Sequence, residues 1–287
     1  MRRGLCLSIF LLAVIDVSFA QEKILLNVRY DFIYVRDLEN KAEPYRENMI
    51  LSLGKQSSRY CSERLYNEKE ASAAREKELE KRRQVLSSRP TIVVNGGPLL
   101  LVSNQGTIIN EEITKDSSGG KLLLQGILGF KSYKIETAIP KIDWVIQTER
   151  RIVGGYSCQK AVGVFGGRTF YAWFAPDLPF HSGPWKLSGL PGLILEASDK
   201  DSELCFIFKD LTRNTDPGET THPFLNPDNS IPTDLKAYCR IKAEFDRNPE
   251  SVMTALAPDA RLAVRNIDDP HAKTVKKIKQ YNPMELK

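Results

Sequence analysis

Residues 156–175 read Tyr156-Ser157-Cys158-Gln159-Lys160-Ala161-Val162-Gly163-Val164-Phe165, then Gly166-Gly167, then Arg168-Thr169-Phe170-Tyr171-Ala172-Trp173-Phe174-Ala175. Two runs rich in apolar and aromatic residues flank a pair of glycines, which supply the positive φ angles of a tight two-residue turn. The stretch predicts a β-hairpin, and counting back from its turn sets Lys160 opposite Trp173 and Cys158 opposite Ala175. The second strand is apolar on both faces, with Phe170, Ala172 and Phe174 on one and Tyr171 and Trp173 on the other. It is therefore expected to be central and covered twice.

β signals continue on both sides of this hairpin. Leu26, Val28, Tyr30, Phe32 and Tyr34 alternate with Asn27, Arg29 and Asp31 as one half-buried strand. Met49–Leu53, closed by a Gly54 turn, reads as its neighbour. Thr91–Val94 and Leu99–Val102 flank an Asn95-Gly96-Gly97-Pro98 turn, Ile142, Trp144 and Ile146 alternate with polar residues, and Leu204, Phe206 and Phe208 mark another strand. Two segments break the pattern. Eleven of the sixteen residues in 68–83 are charged, a solvated helical excursion spanning about 66–90. Near the end, Thr233 reads as an N-cap, and Leu235, Tyr238, Ile241 and Phe245 share one helical stripe; Asn248-Pro249 opens a second short helix. The fold class is mainly β, or α+β: an antiparallel, curved, half-barrel-like sheet with a charged helical excursion and a C-terminal helix packed on it.

The 287 residues, 41% hydrophobic with a formal net charge of +5, exclude a disordered or polytopic membrane chain. The basic residues are too dispersed for a nucleic-acid partner, and the Lys273, Lys276, Lys277 and Lys279 run reads as a solvated face. Residues 1–20 differ: Arg2 and Arg3 precede the apolar Leu5–Ile15 run, and Ser18-Phe19-Ala20 places small residues where a signal peptidase cuts. The expectation is a signal peptide at 1–20, one domain over 21–287 without a membrane-spanning segment, and a location in the periplasm or cell envelope. Cys61, Cys158, Cys205 and Cys239 then lie in a disulfide-permissive compartment, and three pairings are open to them.

In Ser188-Gly189-Leu190-Pro191-Gly192-Leu193-Ile194-Leu195-Glu196, Pro191 and Gly192 fit the central positions of a type II turn that feeds a buried strand. This segment, from Gly189 to Ile194, resembles the name motif of the GLPGLI family. The strand Gly155–Ala161 with its cysteine, the Ala172-Trp173-Phe174-Ala175-Pro176 block, Gly183-Pro184-Trp185 and the closing Tyr281-Asn282-Pro283-Met284-Glu285-Leu286 resemble the family's other blocks. The resemblance implies an exported envelope protein of Gram-negative bacteria, with genes often near those of outer-membrane receptors. It implies no catalytic residue, cofactor or substrate.

A nucleophile–base set could draw on Cys158, His181 and Asp177 or Asp199, yet no nucleophile-elbow pattern surrounds any of them. His181, His222 and His271 are too widely spaced for a local metal site, so neither metal nor cofactor is expected. The aromatic cluster of Tyr171, Trp173, Phe174, Phe180 and Trp185 reads as core or as an apolar groove rimmed by Arg168 and Lys186. Arg168, Tyr171, Trp173, His181 and Trp185 are thus the candidate contacts. The resulting expectation is a non-catalytic binding or accessory module for an apolar small molecule or a membrane-protein partner such as an outer-membrane receptor. The alternative is an envelope hydrolase using Cys158/His181 or scattered acidic residues.

Overall fold

A computed structural model describes residues 22–69, 71, 72, 75, 111–128, 131–215, 218, 220, 221, 223, 225, 229–247 and 278–285. The expected export signal, the 91–94 and 99–102 strands, most of the 68–83 run, the second short helix, Lys273, Lys276, Lys277, His222 and His271 lie outside the described residues.

The strands are β1 (Leu26–Tyr34), β2 (Tyr45–Leu53), β3 (Ser57–Ser62), β4 (Glu111–Asp116), β5 (Lys121–Leu128), β6 (Lys131–Ala138), β7 (Val145–Val153), β8 (Tyr156–Phe165), β9 (Arg168–Ala175), β10 (Leu193–Asp199), β11 (Leu204–Arg213) and β12 (Ile231–Pro232). Helix α1 begins at 63, and α2 spans Leu235–Arg247. All twelve strands join one sheet in the order β12-β6-β5-β4-β3-β2-β1-β11-β10-β9-β8-β7. Every pairing is antiparallel except β12 with β6. The first strand follows its alternation: Val28, Tyr30, Phe32 and Tyr34 are buried, and β2 lies beside it through Met49–Leu53.

This sheet is curved but open. β3 and β11 are three places apart, a separation of about 14 Å in a flat sheet; yet the rings of Tyr60 and Phe206 meet at 6.5 Å across the concave side. The hollow is filled by the connection between β9 and β10. Trp185 stands in it with its ring 6.3 Å from Phe206, 6.3 Å from Phe170 and 5.3 Å from Phe165. Its backbone adopts φ 54°, a left-handed conformation that costs an aromatic residue about 1–3 kcal/mol; the three ring contacts hold it there. α2 packs on the sheet through Tyr238, which is buried, and through Leu235, Ile241 and Phe245, so the helical stripe is as expected.

Several local expectations are corrected. The hairpin register is right, with Lys160 opposite Trp173, but the described ladder stops at Gln159–Phe174, one pair short of Cys158–Ala175. β9 is internal yet covered once: Phe170, Ala172 and Phe174 are buried, whereas Tyr171 and Trp173 stay half-exposed on the convex face. Ile142 and Trp144 precede β7 rather than alternate within it. The cap of α2 is Asp234, whose Oδ1 accepts the Ala237 N–H at 2.8 Å; the Thr233 N–H instead bonds the Lys134 carbonyl, extending the β12–β6 contact. None of the three open pairings forms: Cys61 on β3, Cys158 on β8, Cys205 on β11 and Cys239 on α2 are free.

The Pro191–Gly192 turn also differs from type II. Gly192 has φ 156°, a value that L side chains rarely adopt, and its N–H bonds the Leu190 carbonyl at 2.8 Å, a three-residue turn around Pro191. The glycine is required for space, since a Cβ there would run into the backbone carbonyl of Ala175. Gly192→Ala is therefore expected to destabilise the fold by about 2 kcal/mol or more, as overpacking against rigid backbone does. Gly189→Ala, with nothing within 4 Å of its Cβ position, should bear only the cost of its φ of 93°, about 1 kcal/mol. Urea unfolding of both variants checks the order.

Candidate functional site

The predicted site residues separate into three places. Arg168, expected on a groove rim, is instead buried at the start of β9, where alternation puts it on the same face as Phe170 and Phe174. Its Nη1 donates to Asp199 Oδ2 at 2.5 Å and to Glu203 Oε2 at 3.3 Å. Nη2 donates to the Asn282 side-chain oxygen and to the Pro283 carbonyl at 2.7 Å, and Nε to the Met284 carbonyl at 3.0 Å. Each of the guanidinium's five N–H groups thus has an acceptor. Asp199 also caps the β10–β11 turn, accepting the Glu203 and Leu204 N–H groups at 2.7 and 3.0 Å. Burial pushes the Glu203 carboxyl up, but hydrogen bonds from Lys41, Arg168 and Asn282 outweigh it and hold it below the usual range.

Trp185 and Lys186 belong to the concave side. Trp185 is core, and Lys186 is buried in an ion pair with Glu285. From the opposite wall Lys115, on β4, reaches into the same loop: its Nζ donates to the Gly183 carbonyl at 3.1 Å and the Leu187 carbonyl at 3.0 Å. Trp144 Nε1 adds a bond to the Ser188 carbonyl at 2.9 Å. Burial lowers the Lys115 pKa to about 7. Lys115 and Trp144 fix the loop that carries the 189–194 motif, whose residues from Leu190 to Ile194 are buried apart from Pro191 and which makes no open site. Sequence reasoning missed Lys115, which in alternation shares the face of buried Ile113; that parity was the available signal.

Tyr171 and Trp173 occupy the third place, the convex face of β7–β10. The Arg151 guanidinium lies 4.2 Å from the centroid of the Trp173 ring and is ion-paired with Glu196. Lys160 lies 5.5 Å from the Tyr171 ring and 2.6 Å from Glu149. Two aromatic rings thus sit side by side on the sheet, each roofed by a cation that a carboxylate orients. Beyond them, among the described residues, β7 is the last strand of the sheet; Val145 on it and Val164 on β8 share this face and are 61% and 64% exposed, whereas Ile146 and Ile152 are exposed on the other face. Arg151 was not singled out by sequence; β7 pairing with β8, which sets Arg151 opposite Cys158, is what brings it to Glu196.

Trp185 and Trp173 lie on opposite sides of the sheet, so the expected aromatic groove does not form. Nor does the proposed nucleophile–base pair gain support: burial raises the Cys158 thiol to about 11, and His181 is exposed in the β9–β10 connection. Among the described residues no cluster of His, Cys, Asp and Glu could hold a metal, and no helix is long and apolar enough to cross a membrane. A cavity of about 60 Å³ opens beneath α2, lined by Glu111, Lys186, Tyr238, Lys242, Tyr281 and Met284.

The fold is that of an open, curved, antiparallel sheet with a helix laid on it, and comparisons with known proteins agree at that level. A family described as "Protein of unknown function (Porph_ging)" matches residues 166–196, from the β8–β9 turn into β10. No curated protein matches. Among solved structures, PNGF-II in its P21 crystal form is similar, with a TM-score of 0.51, 14% identity, and coverage of 75% of this chain and 32% of that one. Its C2 form gives a TM-score of 0.50, 14% identity, and coverage of 76% and 32%. The chain thus spans about a third of the length of these structures, and at this identity the likeness concerns the fold alone.

Lys115 yields a pH test. Unfolded, it has the ordinary lysine value of 10.5, whereas folded it sits at about 7. Between those values the unfolded state binds more protons, so this residue makes stability rise with pH. Lys115→Met should remove that rise: the wild-type minus mutant difference in urea midpoint is expected to climb from pH 7 to pH 10. A difference that stays flat contradicts the assignment.

Proposed function

We propose that this chain is an exported envelope protein of the GLPGLI type that serves as a binding or accessory module, docking a partner on the convex face of β7–β10. The observation that carries the reading is Trp173, half-exposed on the sheet, under Arg151 and on the same face as the exposed Val145 and Val164. Aromatic and arginine side chains are the usual anchors of protein interfaces. The outer edge of β7 has no neighbour among the described residues, and such an edge offers backbone N–H and C=O groups to a partner. The cavity of about 60 Å³ is far below the roughly 300–1,000 Å³ that a small-molecule pocket occupies. This favours a macromolecular partner, such as an outer-membrane receptor, over an enclosed apolar ligand. Export by residues 1–20 and residence in the envelope belong to the same proposal, supported by the charged, apolar and small-residue order of that segment.

Site-specific photo-crosslinking in intact cells tests it. A crosslinker at Val145 or Val164 is expected to give a defined adduct, and one at Ile231, exposed on the opposite edge of the sheet, is not. Trp173→Ala should reduce the adduct by roughly tenfold while cooperative melting is retained, as removal of an aromatic anchor does. The mature chain should begin at Gln21. Equal adducts at all three positions, or none, would count against the reading.

A further inference from the structure

A second binding site lies away from the convex face, and residues 279–285 of the chain itself occupy it. Asp37 accepts the N–H groups of Lys279 and Gln280 at 3.1 and 3.0 Å. Tyr281 bonds Asp246 at 3.0 Å through its hydroxyl and makes the segment's one β-bridge, to Asp37. Asn282 is buried, and its polar groups are read from all sides. Its N–H donates to the Arg36 carbonyl at 2.9 Å and its carbonyl accepts the Tyr34 hydroxyl. The side-chain amide donates to the Val35 carbonyl at 2.8 Å and to Glu203 at 3.0 Å, while its oxygen accepts from Arg168.

Arg168 then reads the carbonyls of Pro283 and Met284. Proline suits the position after Asn282, because it holds the chain extended and brings no N–H into a site rich in donors. Met284 packs on the core, and Glu285 pairs with buried Lys186 over the Gly166 turn, where a Cβ would come within 3.0 Å of the glutamate side chain. Two buried cations, a dedicated acceptor for each amide hydrogen of Asn282, and one bridge of backbone pairing describe recognition of a peptide sequence rather than continuation of the sheet. The segment is also imperfectly packed, since a 60 Å³ cavity remains between it and part of α2. Residues 248–277 lie between α2 and this segment in the chain.

We propose that this groove is a peptide-recognition site for an extended segment carrying asparagine, proline, an apolar residue and glutamate in that order. The chain's own Asn282-Pro283-Met284-Glu285 fills it in cis, and an equivalent segment of another polypeptide takes its place in trans. A tethered occupant competes at an effective concentration in the millimolar range, so trans binding is visible once the cis copy is weakened. Asn282→Ala in the full chain does this and leaves the groove residues intact.

The probe is a fluorescein-labelled peptide of residues 278–287, followed by anisotropy. Saturable binding to the Asn282→Ala chain is expected, roughly tenfold or more tighter than to the wild-type chain, whose own segment competes. A peptide carrying the same Asn282→Ala change should bind that chain about tenfold more weakly, since it cannot satisfy the groups that surround the amide. A cooperatively melting Asn282→Ala chain that fails to bind, or that binds both peptides equally, overturns the proposal. Should that chain lack a cooperative melt, the peptide must restore one, and failure to do so overturns it equally.

Discussion

Arg168 is a guanidinium enclosed by protein, and a charge in that setting is tolerated only where partners replace the water it has lost. Here the partners come from the β10–β11 turn, through Asp199 and Glu203, and from the 282–284 segment. The strand that starts at Arg168 therefore cannot take its place unless β10, β11 and 282–284 take theirs. Removing one member of such a set leaves an uncompensated charge and costs about 3–5 kcal/mol. The ion network thus acts as the lock of one half of the sheet, and it places the peptide groove beside the lock.

Curvature supplies the other half of the account. A sheet that bends enough to bring Tyr60 to Phe206 encloses a hollow, and the β9–β10 connection fills it with Trp185. The backbone of that connection is held from three sides: by Lys115 from β4, by Trp144 ahead of β7, and by the close approach of Gly192 to Ala175. The β10–β9 register shifts between Ile194 and Glu196, and the Ile194 carbonyl accepts the buried Tyr30 hydroxyl at 2.8 Å. The 189–194 motif is therefore an architectural element. What remains for function is what the architecture leaves outside: the roofed aromatic pair on the convex face and the groove filled by 281–285.

Period-two alternation made much of this legible. It located β1, β2 and β11, set the hairpin register, and separated α2 by its change of period. The same parity divides Phe170, Phe174 and Arg168 from Tyr171 and Trp173, and it carries the burial of Arg168. Other features leave no local trace. The acceptors of Arg168 lie 31, 35 and more than a hundred residues away in sequence, and an arginine beside aromatic residues reads as surface until those acceptors arrive. Trp185 takes a backbone conformation against its own preference because tertiary stacking imposes it. Asn282 reads as an ordinary turn residue before proline, whereas the fold uses every polar group it has.

The central claim is that the Arg168 network couples the β10–β11 turn to the 282–284 segment. Hydrogen exchange with the full chain carrying Arg168→Met, a neutral side chain of similar reach, tests it most directly. The account predicts that the amides of Glu203, Leu204 and Asn282, bonded at 2.7, 3.0 and 2.9 Å in the intact protein, lose protection together while β3–β5 keep theirs. Loss confined to one of the two segments, or protection unchanged in both, would contradict it.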